Sequence, residues 1–335
     1  MNADKIGIIA FLADKYEMGK IANLGAKWVR LTLQQFVAEW NGPGQYNWAQ
    51  FDESVNAARA LGLEIYASII GAPKWEAPDI TPSPDGWVAI QPKERIPVLQ
   101  AYVEQLCVRY KDIRFWGIET EVNIPGRAPF RNDGQGFWKM TPEEFATNVI
   151  LPCAEVIHGH GKKVVAPGIT IQRFDKFDDG SSKFDLAVDY FKRIRVITKR
   201  AKAIDHYAIH AYGKNVKRVH EGIKDFMEAV SIQNVWVTET GVDELWHWTA
   251  DDVFESIVTF TMRNTEELQL RHYKYLIPTL LSDPSINKVF LYKSKDDDKG
   301  GHKSTAGLLK RYKTQGELKL KAKLAGIYMQ GEWNK

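Results

Sequence analysis

Eight short apolar runs recur along the chain, each rich in Val, Ile and aromatic residues, and amphipathic stretches with helical spacing separate them. The runs are "IGIIAFL" (6–12), "AKWVRLTL" (26–33), "LEIYASII" (63–70), "IRFWGIETE" (113–121), "KKVVAPGI" (162–169), "AIDHYAIHA" (203–211), "NVWVTETG" (234–241) and "NKVFLYK" (287–293). Runs of this length read as buried strands, and the intervening segments as helices. "NWAQFDESVNAARALG" spaces Phe51, Val55, Ala58 and Leu61 along one helical face and stops at Gly62. "TPEEFATNVILPCAEVIHGHG" opens with Thr141, Pro142 and Glu144, the pattern of a capped helix start. "ELKLKAKLAGIYM" is read as the last helix, after a long one running from Asp251 to about Leu281. Eight strand–helix units predict an α/β chain folded as a single (β/α)₈ TIM barrel over residues 1–335. A doubly wound open sheet would carry a glycine-rich phosphate turn after an early strand; none is present, and no cofactor is expected.

The totals narrow the partners. With 45 basic and 42 acidic residues among 335, the chain carries +3, which gives no electrostatic case for nucleic acid or a membrane surface. No apolar run reaches the roughly 18 residues of a membrane span. "IGIIAFLA" is too short for a leader, although a leader already removed leaves both export and a cytoplasmic home open. Cys107 and Cys153 read as buried free thiols. The sequence is silent on oligomeric state.

Segments after the strands are long and aromatic. In such a barrel these segments build the active face, so Trp75, Trp87, Trp138, Trp246 and Trp248 are expected to crowd one end. Indole faces stack on the C–H face of a pyranose; equally, any one of these rings could pin its own loop. Glu121 ends the fourth run and Glu239 the seventh, so the two carboxylates are expected to face each other across the mouth. That arrangement serves glycoside cleavage, in which one carboxyl donates a proton and the other attacks or stabilises the anomeric centre. Strand alternation would set Glu119 on the same face as Glu121, where it could bind a sugar hydroxyl or pair with an internal cation.

Five segments in order carry a family resemblance: "GPGQYNWAQFDESVNAARALGLEIYASI", "GAPKW", "AIHAYG", "VTETG" and "TAGLLKRYKTQGELKLKAKLAGI". The chain resembles the clan A glycoside hydrolases, the (β/α)₈ group whose catalytic glutamates end strands four and seven, with families 39, 42 and 5 the most similar. The resemblance implies a retaining glycoside hydrolase acting on a β-glycosidic bond of an oligosaccharide or polysaccharide, with Glu239 as nucleophile and Glu121 as acid and then base. It implies that His210 and Tyr212 orient the nucleophile and the sugar, and that Arg30 offsets charge near Glu239. Trp75, Trp138, Trp246, Trp248 and Tyr292 are taken as further substrate contacts. One departure stands out: the family carries Asn directly before the acid/base, and this chain carries Thr120. A hydroxyl cannot do both jobs of an amide, so either Asn123 or Glu119 fills in or the activity is weak or unusual. Two other readings follow. One is a carbohydrate-binding barrel with little or no catalysis. The other is a metal-dependent barrel enzyme using His206 and His210, which lie four residues apart on one strand.

Overall fold

The structure is a computed structural model that describes residues 3–73, 75, 87–88, 96–123, 140–171, 180–213, 215–241, 265–293, 308–314 and 317–333. Eight parallel staves form its centre. β1 is Ile6–Ala10, β2 Trp28–Gln34, β3 Glu64–Ile70 and β4 Phe115–Ile118. β5 comes in two pieces, Lys163–Val165 and Ile169–Ile171; β6 is Ala208–Ala211, β7 Val235–Thr240 and β8 Ile286–Leu291. β8 pairs back to β1 with Ile6 opposite Val289.

The seam closes at β5. Its first piece pairs with β4, Phe115 opposite Lys163, and its second with β6, Ile169 opposite Ile209. Single bridges, Thr120 to Gly168 and Val165 to His206, complete both sides. The interruption falls at Ala166-Pro167-Gly168, where the proline has no N–H to give a ladder. Every stave therefore has two neighbours, and the (β/α)₈ barrel has no open edge.

Helices cover the outside: α1 Lys15–Asn23, α2 Ala49–Ala60, α3 Ile96–Arg109, α4 Leu151–Gly159, α5 Lys183–Arg200, α6 Val216–Ala229, α7 Thr265–Ser282 and α8 Leu324–Trp333. A turn at Pro142–Phe145 and a π segment at Ala146–Ile150 lead into α4. The turn carries the expected capping box, with Thr141 and Glu144 satisfying each other's backbone N–H. α2 gives way after Leu61 to Gly62 at φ 67°, the left-handed position that favours glycine.

The barrel interior is filled separately from the strand–helix layer. Ile9, Trp28, Tyr66, Phe115, Val165, Ala208, Trp236 and Phe290 supply one side chain from, or directly beside, each stave. Two glycines make room for the larger rings. A Cβ at Gly7 would lie 2.4 Å from the Phe290 ring, and one at Gly117 2.4 Å from the Tyr66 hydroxyl.

One expected element is different. Glu317–Ala322 is not helical; it is a strand antiparallel to Leu309–Thr314, with Leu309 opposite Ala322 and Thr314 opposite Glu317. Leu318, Leu320 and Ala322 alternate with Lys319, Lys321 and Lys323, a period of two that a helix cannot sort to one face. Only α8 keeps the helical reading.

Candidate active site

At the end of β4 the pleat is broken. Glu119 and Glu121 both have left-handed backbone, φ 61° and 51°, a state that costs a non-glycine residue about 1–3 kcal/mol. Backbone bonds hold it: Glu119 N–H donates to the Ile69 carbonyl at 2.7 Å, and Glu121 N–H to the Gly168 carbonyl at 2.8 Å. The expectation that Glu119 and Glu121 share a face by alternation therefore fails. A Glu119 oxygen instead accepts from the Gly71 N–H at 3.0 Å, beside the end of β3. Glu119 also acts on the thiol of Cys153 in α4, which burial first and this carboxylate second push upward. Thr120 turns inward, its hydroxyl 3.5 Å from Arg30 Nη2 and 3.3 Å from His210 Nε2.

β7 brings its carboxylate inward by another device. Trp236 faces the barrel interior, so alternation would send Glu239 the same way as Val237, outward. The register against β6 shifts between Val237 and Glu239, and such an irregularity re-aims the following side chain. Glu239 Oε1 accepts from Arg30 Nη1 at 2.7 Å, and Oε2 from the Tyr212 hydroxyl at 2.7 Å. Arg30, on β2 and 2% exposed, also donates to the Thr238 carbonyl at 3.0 Å and to Ser68 Oγ at 3.2 Å. Burial works against its charge, but Glu239 more than restores it. Burial, and then the charge of Glu239, push Tyr212 well above its usual range, so it stays a donor.

His210 joins the two acids. Its Nδ1 lies 3.0 Å from Glu121 Oε1 and 3.3 Å from Glu239 Oε2. One oxygen of each carboxylate and one imidazole nitrogen all lie within 4.8 Å of one another. The ring is fully buried against Gly168, where a Cβ would stand 2.1 Å from Nε2. Thr170 Oγ1 donates to Glu121 Oε1 at 2.8 Å. Burial pushes Glu121 up, but the bond from His210, the bond from Thr170 and the nearby Arg30 outweigh it, leaving Glu121 below its ordinary value. Both acids stay partly open, with side-chain exposures of 25% for Glu121 and 13% for Glu239.

The other expected contacts divide. Tyr292 meets Phe11 and Tyr212 edge-on, with centroids 6.3 and 6.1 Å away, beside the acids. Asn123 is buried and clasps Thr170: its Nδ2 donates to the Thr170 carbonyl at 2.9 Å, and its Oδ1 accepts the Thr170 N–H at 3.0 Å. Trp75 donates its indole N–H to the Glu39 carbonyl at 2.7 Å, which ties the loop after β3 to that after β2. Trp138, Trp246, Trp248 and the side chain of Trp87 lie outside the described residues. His206 stacks on Trp236 at 4.8 Å among the interior aromatics, so it does not meet His210. Among the described residues, Glu121, His210 and Glu239 are the one His/Cys/Asp/Glu set close enough to share a cation. Ser68 and Thr170 were missed by sequence reasoning. Ser68 lies within the third apolar run and Thr170 one residue beyond the fifth, and a lone hydroxyl residue carries no signal of its own.

Two glutamates, one just after β4 and one in β7, thus converge beside a buried arginine at the mouth of a closed barrel. The family model described as glycosyl hydrolase catalytic core matches residues 132–318, more than half of the chain, and the chain belongs to that family. Glu239, His210 and Tyr212 fall inside the matched stretch, and Glu121 lies before it. Solved structures share the fold at low identity. A family 10 xylanase from Bispora sp. MEY-1 is 14% identical with a TM-score of 0.66, over 98% of this chain and 97% of that one. A family 39 glycoside hydrolase from Bacteroides cellulosilyticus WH2 is 15% identical with a TM-score of 0.59, over 99% of this chain and 64% of that one. An FMN-binding β-glucuronidase from Facaelibacterium prausnitzii L2-6 is 14% identical with a TM-score of 0.60, over 99% of this chain and 44% of that one. The chain thus spans less than two thirds of the length of the last two. No curated protein matches it in sequence.

Proposed function

We propose that the protein is a retaining glycoside hydrolase that cleaves a β-glycosidic bond of an oligosaccharide or polysaccharide by double displacement. The observation that carries this reading is the approach of Glu121 and Glu239, a carboxylate oxygen of each within 4.8 Å. Retaining enzymes hold the two carboxyl groups about 5–5.5 Å apart, and inverting ones roughly 6.5–9.5 Å, to leave room for water. Glu239 attacks the anomeric carbon as the bond to the leaving oxygen breaks, and Glu121 gives that oxygen a proton. Water then attacks the anomeric carbon and gives a proton to Glu121 as the bond to the Glu239 carboxylate breaks. Arg30 and Tyr212 hold the Glu239 carboxylate by one oxygen each, fixing its direction of attack. Tyr292 offers the sugar an aromatic edge.

The test is a panel of aryl β-glycosides, run on the wild-type protein and on Glu121→Ala. Wild type should turn over at least one of them. In kcat/KM the variant should lose about 10²–10⁴-fold on poor leaving groups and much less on good ones, whose departure needs no proton.

A carbohydrate-binding barrel is the second reading. Its support is Thr120, whose hydroxyl is engaged by Arg30 and His210 where an amide would meet a sugar hydroxyl. Oligosaccharide binding with no turnover of any aryl glycoside, β-glucan, mannan or xylan would favour it.

A further inference from the structure

We infer that Phe11 is a sugar-stacking residue that holds the second sugar on the glycone side of the cleaved bond, the side that stays on Glu239. The assignment of sides rests on the proposed hydrolase reading; the contact of Phe11 with a sugar does not.

The aromatic groups of the site form a row that leads away from Glu239. Tyr212 donates to Glu239 Oε2 at 2.7 Å. Tyr292, just after β8, stands edge-on to Tyr212 with ring centroids 6.1 Å apart. Phe11, the residue after β1, stands edge-on to Tyr292 in turn, at 6.3 Å. The buried Lys293 ammonium lies 5.1 Å from the Tyr292 centroid and 5.8 Å from that of Phe11, so one cation engages both rings. Phe11 itself is 36% exposed. A single exposed Phe is ordinary. One that continues an aromatic row from a site carboxylate has a ligand to meet. A phenyl ring carries neither donor nor acceptor, so it meets a sugar through the C–H groups on the flat of a pyranose.

The direction of the row follows from the barrel. Glu121 gives its proton to the leaving oxygen, so the departing part of the substrate lies toward the end of β4. β8 is four staves from β4 either way round, and β1 is its neighbour. The sugar bonded to Glu239, and any sugar linked to its far end, therefore extends toward β8 and β1. Tyr292 stands beside the first of these sugars. Phe11, one ring further out, stands beside the second. The substrate is then a chain with at least two sugars on the glycone side, not a single terminal sugar.

The test compares release of the aryl group from β-glucoside, β-mannoside and β-xyloside with release from the corresponding aryl biosides, on wild type and Phe11→Ala. In the series it cleaves, wild type should show the higher kcat/KM on the bioside. Phe11→Ala should lower the bioside-to-monoside ratio on the order of 10-fold, mainly through KM, and Phe11→Tyr should keep it. A ring that only propped Tyr292 would cost both substrates alike. Equal kcat/KM for one and two sugars in wild type, or an unchanged or increased ratio in Phe11→Ala, would overturn the inference. If Phe11→Ala does not fold, Phe11→Leu, apolar but without a flat face, takes its place. If no aryl glycoside is cleaved, the hydrolase reading fails and calorimetry decides this one. Cellotriose, mannotriose or xylotriose should then bind wild type more tightly than Phe11→Ala, and equal binding, or binding of none of them, would overturn it.

Discussion

The two ends of the barrel are built from the same eight staves and solve opposite problems. Toward the strand starts, Trp28, Phe115, Trp236 and Phe290 interlock with Tyr66 at centroid distances of 5.2–6.5 Å. Cations lie over its rings at both ends, Lys288 over Trp28 and the buried Arg30 over Tyr66. Toward the strand ends, the inward positions carry Arg30, Ser68, Thr120, His210 and Glu239, joined by hydrogen bonds. β6 and its approach show the contrast over four residues: His206 stacks on Trp236, while His210 bridges two carboxylates. Stability gathers where side chains only pack. Backbone strain and buried charge gather at the strand ends, where hydrogen bonds join the polar side chains.

The largest effect expected from that division is on turnover. Glu239→Ala should reduce hydrolysis of an activated aryl β-glycoside by several orders of magnitude while circular dichroism shows the fold retained, and azide should restore product with inverted configuration. At the other end, Trp236→Ala should cost about 3–5 kcal/mol in urea unfolding and leave kcat of the folded fraction near wild type. Comparable losses of kcat in both variants would break the comparison.

Two pH experiments sharpen it. At the mouth, Glu121 is held below its ordinary value of 4.5. A general acid works only while protonated, so kcat/KM for a poor leaving group should rise as pH falls toward and through 4.5. A leaving group that needs no proton should lack this limb, and a limb near neutrality would contradict the assigned surroundings of Glu121. At the closed end, burial pushes Asp283 up, but bonds from Ser285 and His220 pull it down from 3.8 to about 2. A carboxyl lowered on folding adds stability above its unfolded value, and that stability is lost as pH falls through the folded one. Asp283→Asn should therefore cost about 1–2 kcal/mol near neutrality. The difference from wild type should fade between pH 3.8 and about 2, with kcat unaffected.

Much of the barrel was legible because its staves are short β-branched and aromatic runs between amphipathic segments. Glu121 and Glu239 stood out because a carboxylate at the end of such a run needs a reason. Their presentation was not legible. Alternation alone would put Glu119 beside Glu121 and turn Glu239 outward from Trp236. Two left-handed glutamates and a register shift reverse both outcomes, and no glycine marks either place. Asn123 looked like a sugar ligand because its pairing with Thr170 joins two staves and leaves no local trace. The strand Glu317–Ala322 is the opposite case: its alternation was visible in the sequence, and the helical reading passed over it.

The most direct trial of two glutamates working on one anomeric carbon is the configuration of the first sugar released. Proton NMR of wild-type hydrolysis of an aryl β-glycoside, followed before mutarotation, should show the β-anomer appearing first. Initial release of the α-anomer would mean that water attacks directly, and the pairing of Glu121 with Glu239 as acid and nucleophile would be wrong.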